Sequence, residues 1–307
     1  MRSGNTLSIE QQLELIKDFN PEQVKNALFS IPNSKSPGPD GFNSGFFKKK
    51  WNTVGVITTR VVLDFFKDGA TLKQINATCL TLIPKVENPS KPTDYRPISC
   101  FNTVYKVISK LLCFRLKAVL PHIVDLNQAA FIKGRELLHN ILLCKEIAKG
   151  YKRKGISPRC MMKVDIQNAY NSVSWKAIRG ILHSLNFPGK FIYWIMFCIS
   201  TPSYTIHIND ELHGYFRGGK GLRQGDPISP LLFVLIMEYL TRSLRVAALK
   251  YKFSYHPMCA NLKIINLTFA DDLIVVCKAD NESIKCIMEV LERFYATTGL
   301  KINRNKS

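Results

Sequence analysis

Apolar residues near the start of the chain recur at helical spacing and predict two short helices. The second is the better marked. Asn20 stands as N-cap, Pro21 at the first helical position and Gln23 three residues past the cap, followed by Val24, Ala27, Leu28 and Ile31 on one side. Residues 33–42, NSKSPGPDGF, carry two prolines and two glycines and read as loop. An amphipathic segment runs from about Phe46 to Lys67, followed by a strand over 77–85, ATCLTLIPK. Residues 88–99, NPSKPTDYRPIS, read as a turn-rich basic loop. Val104, Val107, Ile108, Leu111, Leu112 and Leu116 then mark a helix over 102–120, and a further helix covers roughly 136–152, ending in the basic stretch KGYKRKG.

From residue 159 the pattern changes to short strands and helices. CMMKVDI is a strand ending on Asp165, and SWKAIRGILHSL is a helix. YTIHINDELHGYFRG is a hairpin around Asn209-Asp210, and a glycine-rich loop leads into an apolar helix over 230–249. Residues 262–278, LKIINLTFADDLIVVCK, alternate at a period near two, with Asp271 and Asp272 at or beside the turn of a hairpin, and a helix over 281–297 follows. No internal repeat and no low-complexity tract interrupts this order. Strand, helix, hairpin, helix, hairpin, helix predicts an α+β fold with a small sheet and helices on one face.

Composition sharpens the picture. A chain of 307 residues with 46% hydrophobic content has material for a real core in one or two interlocked units. Lys and Arg number 43 against 23 Asp and Glu, a net charge of +20 that points to a polyanionic partner, nucleic acid first. Nine cysteines stand singly, without a CxxC pair or a Cys/His cluster, which predicts reduced thiols and no zinc site. The N-terminal stretch is polar and amphipathic, unlike a signal peptide, and the longest apolar run, PLLFVLIMEYL, is too short to span a bilayer. An intracellular protein, cytoplasmic or nuclear and not membrane-bound, is expected.

Three stretches carry candidate chemistry. Adjacent aspartates form either a polar turn or a site that needs a cation or a basic neighbour to offset their repulsion. Asp165, at the C-terminal end of a buried strand, is a second acid of the same kind, 106 residues before Asp271. Carboxylates converging on one sheet would hold two divalent cations for in-line displacement at phosphorus. The third stretch is FRGGKGLRQGDPISPLLF, residues 216–233. Its four glycines and Arg217, Lys220 and Arg223 suit phosphate contact, and equally suit an ordinary loop leading into a helix.

The blocks KSPGPDGF, LIPK, DYRPIS, YKVISKLL, KVDIQNAYNSV, GLRQGDPISPLLF, LTFADDL and GLKINRNKS, in that order, closely resemble the reverse transcriptases of plant-type LINE (non-LTR) retrotransposons. The resemblance runs from about residue 30 to the last residue. It implies a right-handed polymerase with fingers and a ferredoxin-like palm: a helical extension over 1–32, fingers over 33–158 and palm over 159–307, with the thumb absent. The implied reaction is RNA-templated DNA synthesis from a primer 3′-OH, with dNTP, RNA template and DNA primer or target as partners and two Mg²⁺ ions, or Mn²⁺ as substitute, as cofactor. The alternative is a non-catalytic, nucleic-acid-binding remnant with the fold preserved.

By the same resemblance Asp165 and Asp271 hold the metal ions, with Asp272 beside them and the backbone carbonyl of Ile166 completing one coordination sphere. Tyr170 is the aromatic at the sugar pocket that favours dNTP over rNTP. Gln224 and Gly225, with Arg223 before them, lie beside template and incoming base. Lys85 and Arg96 grip the triphosphate, and Lys306 is the proton donor to pyrophosphate, with Lys301 as competitor. Two positions depart from the family pattern: Asn168 and Asn171 stand where Lys and Asp are common. Asn serves nearly as well as Asp at an N-cap, so the fold is expected to survive the change at 171.

Overall fold

The computed structural model describes residues 4–69, 72–151, 157–209, 211–303 and 306–307. In chain order the elements are α1 (Ile9–Ile16), α2 (Pro21–Phe29), α3 (Ser44–Lys49), α4 (Trp51–Asp68), β1 (Ala77–Pro84), β2 (Tyr95–Phe101), α5 (Thr103–Ile123) and α6 (Leu137–Ala148). They continue with β3 (Arg159–Val164), α7 (Ala169–Ser172), α8 (Trp175–Ser184), α9 (Gly189–Ser200), β4 (Ser203–Ile208), β5 (Glu211–Arg217), α10 (Ser229–Lys250), β6 (Asn266–Phe269), β7 (Asp272–Lys278) and α11 (Asn281–Thr298). Among the described residues no helix is long and apolar enough to cross a membrane.

Local signals place most of these elements. Asn20 accepts the N–H of Gln23 and the Gln23 side chain answers to the Asn20 N–H, a complete capping box with Pro21 behind it. Asp280 caps α11 through Ser283, and Gly299 ends that helix in the left-handed region. Three features refine, correct or add to the expectation. The segment 46–67 is two helices, because Lys50 leaves helical geometry between α3 and α4. The basic loop over 88–99 gives way at Tyr95 to β2, which accommodates Pro97 because β2 is an edge strand. Helix α9 lies in a stretch with no expected element. Of the basic stretch 149–155, residues 152–155 lie outside the described residues, as does Asp210 of the β4–β5 turn.

The chain divides into two compact units that interleave in sequence. The first comprises Met1–Ser8, Lys117–Asn186 and Pro230–Ser307, and the second Ile9–Leu116 and Phe187–Ser229. Each unit has its own sheet, so the β4–β5 hairpin does not join the strand that ends at Asp165. In the second unit the order is β2-β1-β4-β5, with β1 and β4 parallel and the other pairs antiparallel. Ahead of β1, the loop around Gly38 packs so closely on Asn102 that a Cβ would come within 2.2 Å of the Asn102 backbone nitrogen. Only glycine fits there.

In the first unit the order is β3-β7-β6, antiparallel throughout. Met161, Ile274, Val276 and Leu267 share one face of this sheet by register, and Leu143, Cys144 and Ile147 of α6 pack on them. That covers one end of the face. Lys163 and Asp272, further along the same face, remain open to solvent.

Candidate active site

The acids of the first unit are assembled by strand register. Val164 pairs with Leu273, and continuing one residue brings Asp165 level with Asp272 on the face shared by Lys163 and Ile274. Phe269 pairs with Asp272, which leaves Ala270 and Asp271 as a two-residue turn. Ala270 has φ of 55°, a left-handed value that a glycine would adopt with less strain. Asp165 is half-buried, and Asp271 and Asp272 are exposed. The basic neighbour that adjacent acids call for is present: Lys163 Nζ lies 3.9 Å from the Asp272 carboxylate. At side-chain exposures of 68% and 71% this pair adds little stability.

The last residues of the chain lie along Asp165. Its carbonyl accepts the Asn303 N–H at 2.8 Å, the Gln167 N–H reaches the Lys301 carbonyl at 2.8 Å, and its own N–H donates to Ser307 Oγ at 3.1 Å. These two backbone bonds flank Ile166 and Ile302, so the pair between them is of the non-hydrogen-bonded kind. The Ile166 carbonyl therefore turns away from residue 302. Lys301 also lines a cavity of about 1030 Å³ beside the outer edge of β3, with Met161, Met162, Tyr295 and Ser307. Lys306 is exposed, and its backbone N–H donates to Asn303.

Tyr170, in α7, stacks on Phe233 with centroids 5.1 Å apart. Burial first, and the Asp271 charge second, push its phenol pKa up to about 12. Asn168 occupies the N-cap position of α7 at φ of 49°, a conformation Asn tolerates better than most residues. Asn171 lies inside α7 and caps nothing, so the expected capping role there is corrected; Ser174 caps the next helix through Ala177.

The nucleotide-loop residues belong to the second unit. Lys85, exposed, donates from Nζ to the Thr93 carbonyl at 2.8 Å, and Arg96 is exposed at the register position opposite Ile83. The Gln224 carbonyl accepts the Ser99 N–H at 3.1 Å, and Gly225 has φ of 99°. Arg223 is a correction. Its guanidinium is buried, donating to Asn76 at 2.8 Å, Thr78 at 2.9 Å, the Cys198 carbonyl at 2.9 Å and Asp226 at 3.1 Å, so it is not presented to a ligand. Tyr105 and Ser109 hydroxyls, each 2.5 Å from Asp226, complete that network. The sequence reading missed Asp226, Tyr105 and Ser109; the i,i+3 spacing of Arg223 and Asp226 was the available signal.

Among the described residues no three His, Cys, Asp or Glu side chains form a group that could hold a metal ion alone. The candidate donors are hard oxygens only: the exposed carboxylates of Asp271 and Asp272 at the turn, and the half-buried Asp165 carboxylate and the Ile166 carbonyl just past the end of β3. Such a set fits Mg²⁺, which takes one or two protein carboxylates and completes its shell with water and substrate phosphate.

This mixed α+β fold is of the fingers-and-palm polymerase kind by its likeness to solved structures and its family match. Two solved telomerase structures share this fold. One, from Candida albicans with a fragment of telomeric RNA, matches at a TM-score of 0.52 and 13% identity over 76% of this chain and 42% of that one. The other, from Candida tropicalis, matches at 0.51 and 12% over 89% and 57%. Residues 83–307 match the family model described as reverse transcriptase (RNA-dependent DNA polymerase), and the chain belongs to that family. Its curated relatives are proteins of non-LTR retrotransposons. The Xenopus laevis transposon TX1 149 kDa protein is 28% identical over 93% of this chain and 21% of its own length. The Drosophila melanogaster R2DM Pol polyprotein is 24% identical over 99% and 27%. The probable RNA-directed DNA polymerase of transposon BS, also from Drosophila melanogaster, is 23% identical over 98% and 33%. The chain thus spans about a fifth to a third of these relatives. Reverse transcriptases generally use divalent metal ions.

Proposed function

We propose that this chain is the fingers and palm of an RNA-directed DNA polymerase that joins dNTP to a primer 3′-OH on an RNA template. The observation that supports this most directly is the β3–β7 register up to Val164 and Leu273, whose next residues are Asp165 and Asp272, with Asp271 on the adjoining turn. In this reading residues 33–158 are the fingers and 159–307 the palm, after a helical extension over 1–32; the two compact units cut across that division. The family membership supports the reaction, and the net charge of +20 supports RNA template and DNA primer or target as partners. The motif wording alone suggests the plant-type branch of these elements; the relatives named above are from frog and fly.

Asp165, Asp271, Asp272 and the Ile166 carbonyl would hold two Mg²⁺ ions, with Mn²⁺ as a substitute. When bound, the ions supply charge neutralisation at the attacking and leaving oxygens. The primer 3′-oxygen forms a bond to the α-phosphorus and releases its proton to solvent water, and the bond from the α-phosphorus to the pyrophosphate oxygen breaks. Lys306 donates the proton that pyrophosphate acquires, with Lys301 as the competing donor. Lys85 and Arg96 bind the triphosphate, Gln224 and Gly225 border the template and incoming base, and Tyr170 closes the sugar pocket against a 2′-hydroxyl.

Primer extension on an RNA template in Mg²⁺, comparing the chain with Asp271→Asn, tests this. Extension by the native chain only, with RNA binding and melting temperature alike in both, is expected. Equal incorporation by the two would remove the metal assignment. Manganese binding followed by electron paramagnetic resonance gives the same comparison without turnover, and equal affinity there would also overturn it.

A further inference from the structure

We propose that Gln128 is a positioning residue for the Asp271–Asp272 turn, acting through the backbone N–H of Ala270. Its consequence for catalysis rests on the metal-site reading above; its consequence for the turn does not.

Strand β6 would be an open edge of its sheet, but the segment before α6 pairs with it in parallel. The Thr268 N–H donates to the Asn127 carbonyl at 2.9 Å, the Ala129 N–H to the Thr268 carbonyl at 3.1 Å, and Gln128 sits opposite Thr268. From there the Gln128 side chain, 1% exposed, reaches past the end of the strand. Its Oε1 accepts the Ala130 N–H at 3.0 Å and the Ala270 N–H at 3.3 Å. The first bond fixes the carboxamide to its own loop. The second ties the turn to that loop.

The turn has reason to need it. A two-residue hairpin with positive φ at its first position favours glycine there, and this chain has alanine at φ of 55°. An acceptor fixed opposite the Ala270 N–H holds a strained conformation that local preference does not. Asp271 is the next residue, so the hold sets where its carboxylate points.

The support is rigid in turn. Arg135 donates to the carbonyls of Val124 at 2.8 Å, Gln128 at 2.9 Å and Asp125, clamping the loop that carries Gln128. Asn140 of α6 donates to the carbonyls of Thr268 at 3.0 Å and Asn127 at 3.3 Å. Asn127 Nδ2 reaches the Asn266 carbonyl at 3.0 Å. The hairpin is thereby fixed along β6 by side chains 127–140, and at its turn by Gln128. Small misplacements of a catalytic group have large kinetic effects, so such a support belongs to the site's function.

The test uses Gln128→Met, which keeps length and buried volume but removes the acceptor, alone and combined with Ala270→Gly. Amide hydrogen exchange across 269–272 reads the turn, and the Mg²⁺ concentration for half-maximal incorporation reads its effect. Gln128→Met is expected to speed Ala270 exchange and to raise the Mg²⁺ requirement, each by about tenfold, the equivalent of one lost hydrogen bond. Incorporation at saturating Mg²⁺ should fall by a smaller factor than the Mg²⁺ requirement rises, because the carboxylates themselves remain. Adding Ala270→Gly should restore much of the Mg²⁺ requirement, since glycine takes the positive φ without strain. A residue that only filled space would show no such rescue. Native Ala270 exchange and Mg²⁺ requirement in Gln128→Met, alongside an inactive Asp271→Asn, would overturn the proposal. If Asp271→Asn stays active, the metal reading fails, and Ala270 exchange alone still decides the role of Gln128.

Discussion

Tyr170 lies nearly parallel to Phe233, centroids 5.1 Å apart and planes 16° apart, with Asp271 close enough to oppose the loss of its phenolic proton. A ring stacked on a buried α10 side chain has one face fixed and cannot swing aside without breaking that contact. A fixed aromatic beside the acid turn is the arrangement that a steric test of the sugar requires. Replacing it with Val or Ala should lower the preference for dNTP over rNTP by about tenfold or more, ~1.4 kcal/mol in relative kcat/KM. Single-nucleotide incorporation with paired dNTP and rNTP series measures it. An unchanged preference would return Tyr170 to the hydrophobic core.

The same phenol predicts a pH dependence. Its pKa of about 12 in the folded chain lies above the ordinary tyrosine value near 10, through burial first and the Asp271 charge second. Below pH ~10 the phenol is neutral in both folded and unfolded chains and costs nothing. Between there and about 12 the unfolded chain releases the proton while the folded one keeps it, so Tyr170 makes stability fall as pH rises. Denaturant unfolding at a series of alkaline pH values should show a shallower loss for Tyr170→Phe than for the native chain. Tyrosinate absorbance, taken as the difference between native and Tyr170→Phe proteins, should titrate at lower pH once Asp271→Asn removes the second cause. A titration indifferent to Asp271→Asn would mean that the two residues do not interact.

The elements legible in the sequence carry their own markers within one turn or one strand. Asn20 with Gln23 and the alternation around Ala270-Asp271 are local, and both form as expected, while the helix over 281–297 forms with Asp280 and Ser283 as its local cap. Helix α9 was not legible, because seven of its twelve residues are buried and such a segment shows no polar stripe. The partner of the β4–β5 hairpin was not legible either. β4 pairs in parallel with β1 across more than a hundred residues, and nothing in either strand's alternation names the other. Contiguous domain boundaries have the same weakness, since the two compact units each draw on separated stretches of chain. Arg223 and Gln128 share a subtler failing: a polar residue in a loop looks alike in sequence whether it meets solvent or a buried partner.

Arg223 and Asp226 show what that ambiguity hides, and how to remove it. Their ion pair is 3.1 Å long with side chains 4% and 1% exposed, and both partners have further hydrogen bonds. Removing one member of such a pair leaves the other charge buried without compensation, a loss of about 3–5 kcal/mol. Arg223→Ala should therefore unfold at markedly lower denaturant. Arg223→Lys should recover little of that, because an ammonium cannot match the fork that reaches Asn76, Thr78, Cys198 and Asp226 together. Arg223→Met combined with Asp226→Leu should cost less than either change alone, since no charge is then left stranded. Denaturant midpoints of these five variants, the two single changes of the double included, measure this. If Arg223→Ala were as stable as the native chain and only its KM for dNTP rose, Arg223 would be a nucleotide contact after all.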